Sequence, residues 1–177
     1  MHASGIFKAC MHAGTNRPGP FSSLPIGINQ QVYADGSAFP AVSIRRRFSP
    51  VSGVLGLSWL AFDNMTTAGP SGIRPAPEPQ GGGVVALVRG GQLIAAHCSF
   101  TNCSFAEPSY AGGAIFIGNG ATANLSACTF IGNRASYGGA IGLMASEVHW
   151  TVIAWLLLSD CTFRSAAPLR CLCALKR

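Results

Sequence analysis

The chain has 177 residues, enough for one domain, with 10% charged residues against about 25% in ordinary globular proteins. Glycine (22) and proline (11) make up nearly a fifth of it, a balance that suits stacked strands and turns better than a soluble helical bundle. The net charge of +6 reflects few acids (6) more than many bases (12). The bases gather only at Arg45–Arg47 and around Arg170, Lys176 and Arg177, so no phosphate-binding face and no nucleic-acid partner are expected.

Residues 1–50 show no sustained period of 2 or 3.6, and turn residues recur at Arg17-Pro18-Gly19-Pro20, Leu24-Pro25, Phe39-Pro40 and Ser49-Pro50. A segment that buries little apolar surface does not offset a backbone ordering cost of about 1–2 kcal/mol per residue. Residues 1–80 are therefore expected to be loosely ordered, ahead of the all-β region. Within them, 51–69 reads as a degenerate earlier coil, because Phe62-Asp63-Asn64 followed by Ala68-Gly69 echoes Phe130-Ile131-Gly132-Asn133 followed by Ala135 and Gly138. Pro70–Pro79 then reads as an excursion loop.

From Gly81 a two-part pattern repeats. GGAI occurs at Gly112–Ile115 and Gly138–Ile141, and Cys-Thr-Phe at Cys128–Phe130 and Cys161–Phe163. A looser copy, Gly82-Gly83-Val84-Val85 and Cys98-Ser99-Phe100, precedes them. The apolar pieces Val84–Val88, Gln92–Ala96, Ala114–Ile117, Asn124–Ala127 and Thr129–Ile131 are strand-sized and bounded by Gly, Asn or Ser. Gly82 to Cys98 and Gly112 to Cys128 are both 16 residues, while the return from Cys98 to Gly112 is 14 and from Cys128 to Gly138 is 10. A fixed interval with variable connections is how a solenoid keeps strands in register while loops swell.

This predicts a short right-handed parallel β-helix over 81–166, with coils about 4.8 Å apart, and a basic tail at 167–177. The third copy is longer, Gly138 to Cys161 being 23 residues. The extra residues fall within Glu147–Leu158, with Trp150 and Trp155, and read as an apolar lid on the open end. Uncovered, such an end exposes strand edges and invites edge-to-edge self-association.

The residue types fit these places. Gly112-Gly113 and Gly138-Gly139 sit where a coil turns into a strand, so Gly139→Val is expected to disrupt the third coil. Ile115 and Ile141 are the core members of their Ala-Ile pairs. Phe130 and Phe163 continue an aromatic column from Phe100, and Cys128 and Cys161 a thiol column from Cys98. Asn133, like Asn64, is a turn residue suited to an amide ladder.

Two GGAI motifs, Phe130-x-x-Asn133 and the regular spacing resemble the repeats of the polymorphic outer-membrane-protein family. The resemblance covers roughly 81–165 and departs where Gly82-Gly83-Val84-Val85 replaces GGAI and where Phe100 and Phe163 lack the following Asn. It implies a right-handed parallel β-helix of an extracellular or surface-displayed, adhesin-like or structural module, with an unidentified protein or glycan ligand. The chain is expected to be a fragment of a larger repeat protein.

Chemistry-bearing residues are sparse. A carbohydrate-active, pectin-lyase-like β-helix enzyme fragment is the alternative, but glycoside hydrolysis needs two convergent carboxylates. Glu107, Glu147 and Asp160 fall at different points of the repeat. No catalytic, cofactor-binding or metal-binding residue is assigned, and no cofactor is expected. His97 and Cys98 are strand neighbours and do not share a face. Cys171-x-Cys173 lacks zinc-site spacing, and Gly81-Gly82-Gly83 lacks the residues of a phosphate loop. Asn64, Asn102 and Asn124 open glycosylation sequons, which matter only on a secretory route. No signal-peptide pattern is visible, and the apolar run Thr151–Leu158 is far shorter than the ~20 residues of a membrane span.

Overall fold

The computed structural model describes residues 6–8, 23–26, 30–35, 47–67, 81–106, 111–143 and 154–164. Glu107, Glu147, Trp150, Arg45, Arg46, Arg170, Cys171, Cys173, Lys176, Arg177 and the Pro70–Pro79 excursion lie outside them. All regular structure among the described residues is strand. In chain order these are β1 (Ile6–Lys8), β2 (Ser23–Ile26), β3 (Gln31–Asp35), β4 (Arg47–Val51), β5 (Val54–Ser58), β6 (Ala61–Asp63), β7 (Thr66–Thr67), β8 (Val85–Leu87), β9 (Gln92–Ala96), β10 (Ser99–Thr101), β11 (Ser104–Phe105), β12 (Ile115–Ile117), β13 (Thr122–Ser126), β14 (Thr129–Ile131), β15 (Ile141–Leu143), β16 (Trp155–Ser159) and β17 (Thr162–Arg164).

Every pairing is parallel. The largest sheet runs β1-β3-β5-β9-β13-β16, a second runs β15-β12-β8-β4-β2, a third runs β17-β14-β10-β6, and β11 pairs with β7. From β4 onward the chain visits the second, largest and third sheets in the same order on each pass. Successive passes lie in register, with Ile115 on Val85, Thr122 on Gln92 and Phe130 on Phe100.

The inward residues of the three sheets form one core. It draws on Val85, Leu87, Ile115 and Ile117 from the second sheet, and Leu55, Leu93 and Leu125 from the largest. Phe62, Phe100 and Phe130 join from the third. In the largest sheet the burial alternates as period 2 requires: Ala123 and Leu125 are buried, Asn124 is exposed, and Thr122 and Ser126 are half-buried. In β8 and β12 of the second sheet both faces are buried, the outward Phe116 packing with Ala86 and Ala111.

The chain turns from the largest to the third sheet through one left-handed residue per pass: Trp59 (φ 55°), His97 (53°), Ala127 (50°) and Asp160 (53°). Burial accordingly slips out of alternation after Ser126, with Ala127 half-buried and Cys128 buried. Ala127 takes the bend, so Cys128 resumes on the inner side. A non-glycine residue there costs about 1–2 kcal/mol, which the flanking pass-to-pass hydrogen bonds offset. His97 N donates to Ser126 O at 3.0 Å and Ala127 N to Ser159 O at 2.9 Å.

The structure departs from the sequence reading in two places. The first third, where no period is visible, contains strands, and Phe48 and Val51 in it are fully buried. Residues 54–67, where the sequence suggests a degenerate earlier coil, pair in register with the pass that follows them. Second, Trp155–Leu158 is not part of an apolar lid. It is β16, paired residue for residue with β13 from Thr122↔Trp155 to Ser126↔Ser159. The additional length lies between Leu143 and Trp155.

Candidate functional site

The repeated side chains converge inward. Phe62, Phe100, Phe130 and Phe163 stack as one column, with centroid separations of 5.1, 4.8 and 4.8 Å and interplanar angles of 9°, 6° and 5°. Beside it, Leu60, Cys98, Cys128 and Cys161 occupy a second column, the last three as free thiols. Ile115 is fully buried, and Ile141 and Ala140 are half-buried against the same core. Ala114 faces this core as well as Ile115, because the chain bends at the preceding glycines.

Gly112 adopts φ +77°, while Gly113 lies flat against the next pass, its N–H donating to Gly139 O at 2.9 Å. Gly138 also has positive φ, whereas Gly139 is the loosest of the four: a Cβ there would meet nothing nearer than Asn133 O at 3.1 Å. The amides of Gly82 and Gly83 donate to Gly112 O and Gly113 O, so they serve the pass-to-pass ladder and not an anion.

Asn133 is buried, and it joins two passes rather than building an amide ladder. Its Oδ1 accepts from Cys103 N at 2.8 Å, and its Nδ2 donates to Phe100 O at 2.9 Å. Pairing of Ser104 with Thr66 and Arg134 places Cys103 and Met65 beside it in the stack, and sets Asn64 against Asn102 instead.

Burial governs the thiols. Desolvation pushes the Cys103 thiol up to about 11 and also raises Cys161. Cys98 and Cys128 are neighbours in the thiol column, and their mutual interaction lowers the Cys98 thiol and raises that of Cys128. A thiol reagent at neutral pH should therefore modify half-buried Cys161 ahead of buried Cys98, Cys103 and Cys128, as read by peptide mass spectrometry. Because Cys103 is raised in the fold, its contribution to stability is complete below the ordinary value of 9.0 and is lost as pH rises through about 11. Cys103→Ala should flatten that part of a melting-temperature profile.

The outward positions differ from pass to pass. On the largest sheet one column reads Gln92, Thr122, Trp155 and the next Ile94, Asn124, Leu157. These six residues line a shallow depression of about 530 Å³, with Ile94 49%, Leu157 63% and Trp155 64% exposed. Among the described residues, no charged side chain lines it. On the corner beside it, Trp59 stacks on His97 at 4.1 Å and 13°. His97 therefore points outward while Cys98 points into the core. The repeat pattern hides this outer face, since its residues share neither type nor period.

The three sequon asparagines are all exposed: Asn64 and Asn102 in left-handed turns, Asn124 in the middle of the outer face. Asp160 sits on the exposed corner, accepting a hydrogen bond from Ser159 Oγ at 3.0 Å. Among the described residues, no three His, Cys, Asp or Glu side chains gather as a metal site, and no helix is long and apolar enough to cross a membrane. The chain matches no protein-family model, no curated protein and no solved structure.

Proposed function

We propose that the chain is a short right-handed parallel β-helix acting as a non-catalytic structural or adhesion-type module, displayed outside the cell. In this reading the outer face of its largest sheet meets a protein or glycan. One observation carries it: the side chains that recur between passes (Phe, Cys, Ile) are used inward, while those that vary (Gln92/Thr122/Trp155 and Ile94/Asn124/Leu157) face outward. What repeats is scaffold, and what varies is display. The ordered return to the same sheets supports the helical winding, and the handedness follows the strong right-handed preference of parallel crossovers. The GGAI and Phe-x-x-Asn resemblance to polymorphic outer-membrane-protein repeats supports surface display and a larger parent protein.

The alternative, a polysaccharide-acting enzyme fragment, would have to draw on Asp160, which stands alone on its corner among the described carboxylates of the repeat.

The purified chain should be tested against immobilised glycans and proteins for binding, and against pectin-like polysaccharides for turnover. The expected result is binding that Ile94→Lys abolishes without shifting the melting temperature. Polysaccharide turnover lost in Asp160→Asn would overturn the non-catalytic reading.

A further inference from the structure

The two ends of the strand stack are unlike. At the end formed by the last pass, all three main sheets stop together, at β15, β16 and β17 among the described strands. At the other end they stop in different passes, at β1, β2 and β6. Phe62, the terminal ring of the aromatic column there, is fully buried because Phe48 covers it edge-on at 6.5 Å and 82°. Phe163, the terminal ring at the flush end, stacks among the described residues on Phe130 alone and is 37% exposed against 1% for Phe130.

The same step occurs along the whole edge. Leu158 is 42% exposed where its register neighbour Leu125 is 0%. Leu156 and Cys161 are half-buried where Ala123 and Cys128 are buried. A terminal pass that faced water would carry polar groups at these positions. This one keeps core residues at core positions.

The backbone is open there too. Trp155 N donates to Ala121 O at 3.0 Å, so the alternation of a parallel ladder turns residues 155, 157 and 159 toward β13. The N–H and C=O groups of Leu156 and Leu158 then point away from the sheet.

We propose that the β15-β16-β17 edge is a self-association surface on which a second copy of this chain docks edge to edge, giving a closed two-fold dimer. The occupant follows from the stack itself. The edge is self-complementary: it offers apolar Leu156, Leu158 and Phe163 beside outward-pointing N–H and C=O groups, and a second copy presents the same surface in return. The far end, where the described strands of the three sheets stop in different passes, does not match the flush edge for head-to-tail growth, so the flush edge meets itself.

A two-fold axis makes the facing strands antiparallel. With the axis at Leu157, Leu156 of one copy lies opposite Leu158 of the other and Trp155 opposite Ser159. That register keeps inward residues facing inward residues. The only charge in these three strands is Arg164, so no like charges oppose one another across β16. The dimer would join two outer faces into one longer display surface. The inference rests on the sheet order and edge exposure, and only this last consequence depends on the proposed display role.

The test is sedimentation equilibrium of the full chain across a range of micromolar concentrations, with far-ultraviolet circular dichroism on the same samples. The expected species has about twice the 18.3 kDa chain mass. Leu157→Lys and Leu157→Glu each place like charges together at the axis and should weaken the dimer by about tenfold or more, and mixing the two variants should restore it. Leu157 faces solvent, so the strand spectrum should not change. A wild-type chain that stays monomeric with an intact strand spectrum overturns the proposal, as do open-ended polymers or a dimer indifferent to both variants.

Discussion

Gly113→Val should abolish cooperative melting of the last two passes, a loss of more than about 4 kcal/mol and large against a total stability of roughly 5–15 kcal/mol. A Cβ on Gly113 would run into the carbonyl oxygen of Gly139 and approach the amide nitrogen of Arg134 to 2.6 Å. Both are backbone atoms of the following stretch of chain, with no side-chain rotamer to give way. The substitution must push two passes apart at a point where the Gly113 N–H bonds across them at 2.9 Å.

Its sequence counterpart behaves differently. Gly139→Val meets only Asn133 O at 3.1 Å and lies next to the open edge, so a smaller downward shift is expected. Thermal melts of the two variants by circular dichroism make the comparison. Equal melting temperatures would show that the glycine pair as a type, and not the close approach at one site, is what matters.

That difference between two identical motifs marks the limit of what the sequence carries. The strand boundaries of Gln92–Ala96 and Thr129–Ile131 are legible residue for residue, because an apolar run there ends against a glycine or a turn polar residue. The interval of 16 between the glycine pair and the cysteine is legible as well, since it spans a fixed path through two strands and a corner. The corner residue is not. Asn64 and Asn102 advertise a left-handed turn, whereas Trp59 and Ala127 adopt the same φ with no chemical reason visible in the chain.

The early strand Arg47–Val51 is hidden by Pro50 inside it and by a register irregularity between Phe48 and Val51. Trp155–Leu158 misleads for the opposite reason. An unbroken apolar run lacks the alternation that marks a half-buried strand, and it lacks it here because the outer face is apolar too. The outer face itself could not be found by searching for repeats, since its residues differ at each pass.

Phe130→Ala should cost about 3–5 kcal/mol, whereas Phe163→Ala in the same column should cost far less. Phe130 is 1% exposed and stacked on both faces, at 4.8 Å from Phe100 and 4.8 Å from Phe163. Deleting its ring leaves a cavity closed above and below by rings whose backbones are fixed by ladder hydrogen bonds. Thr129 N donates to Cys98 O and Thr162 N to Cys128 O, each at 2.9 Å, so the neighbouring strands cannot slide in to fill the space. Two offset aromatic contacts, each worth about 0.5–1.5 kcal/mol beyond area burial, are lost as well.

Phe163 makes one such contact among the described residues and is already 37% exposed, so its removal opens a notch that water fills. The two variants thus weigh the interior of the column against its end, in denaturant melts with equal slopes. In a dimer the outer ring face of Phe163 would be covered, and the cost of Phe163→Ala would rise with protein concentration. A concentration-dependent difference between the two variants would tie the stability of the column to its edge, and a Phe163→Ala cost equal to that of Phe130→Ala at every dilution would mean the last ring is as enclosed as the middle one.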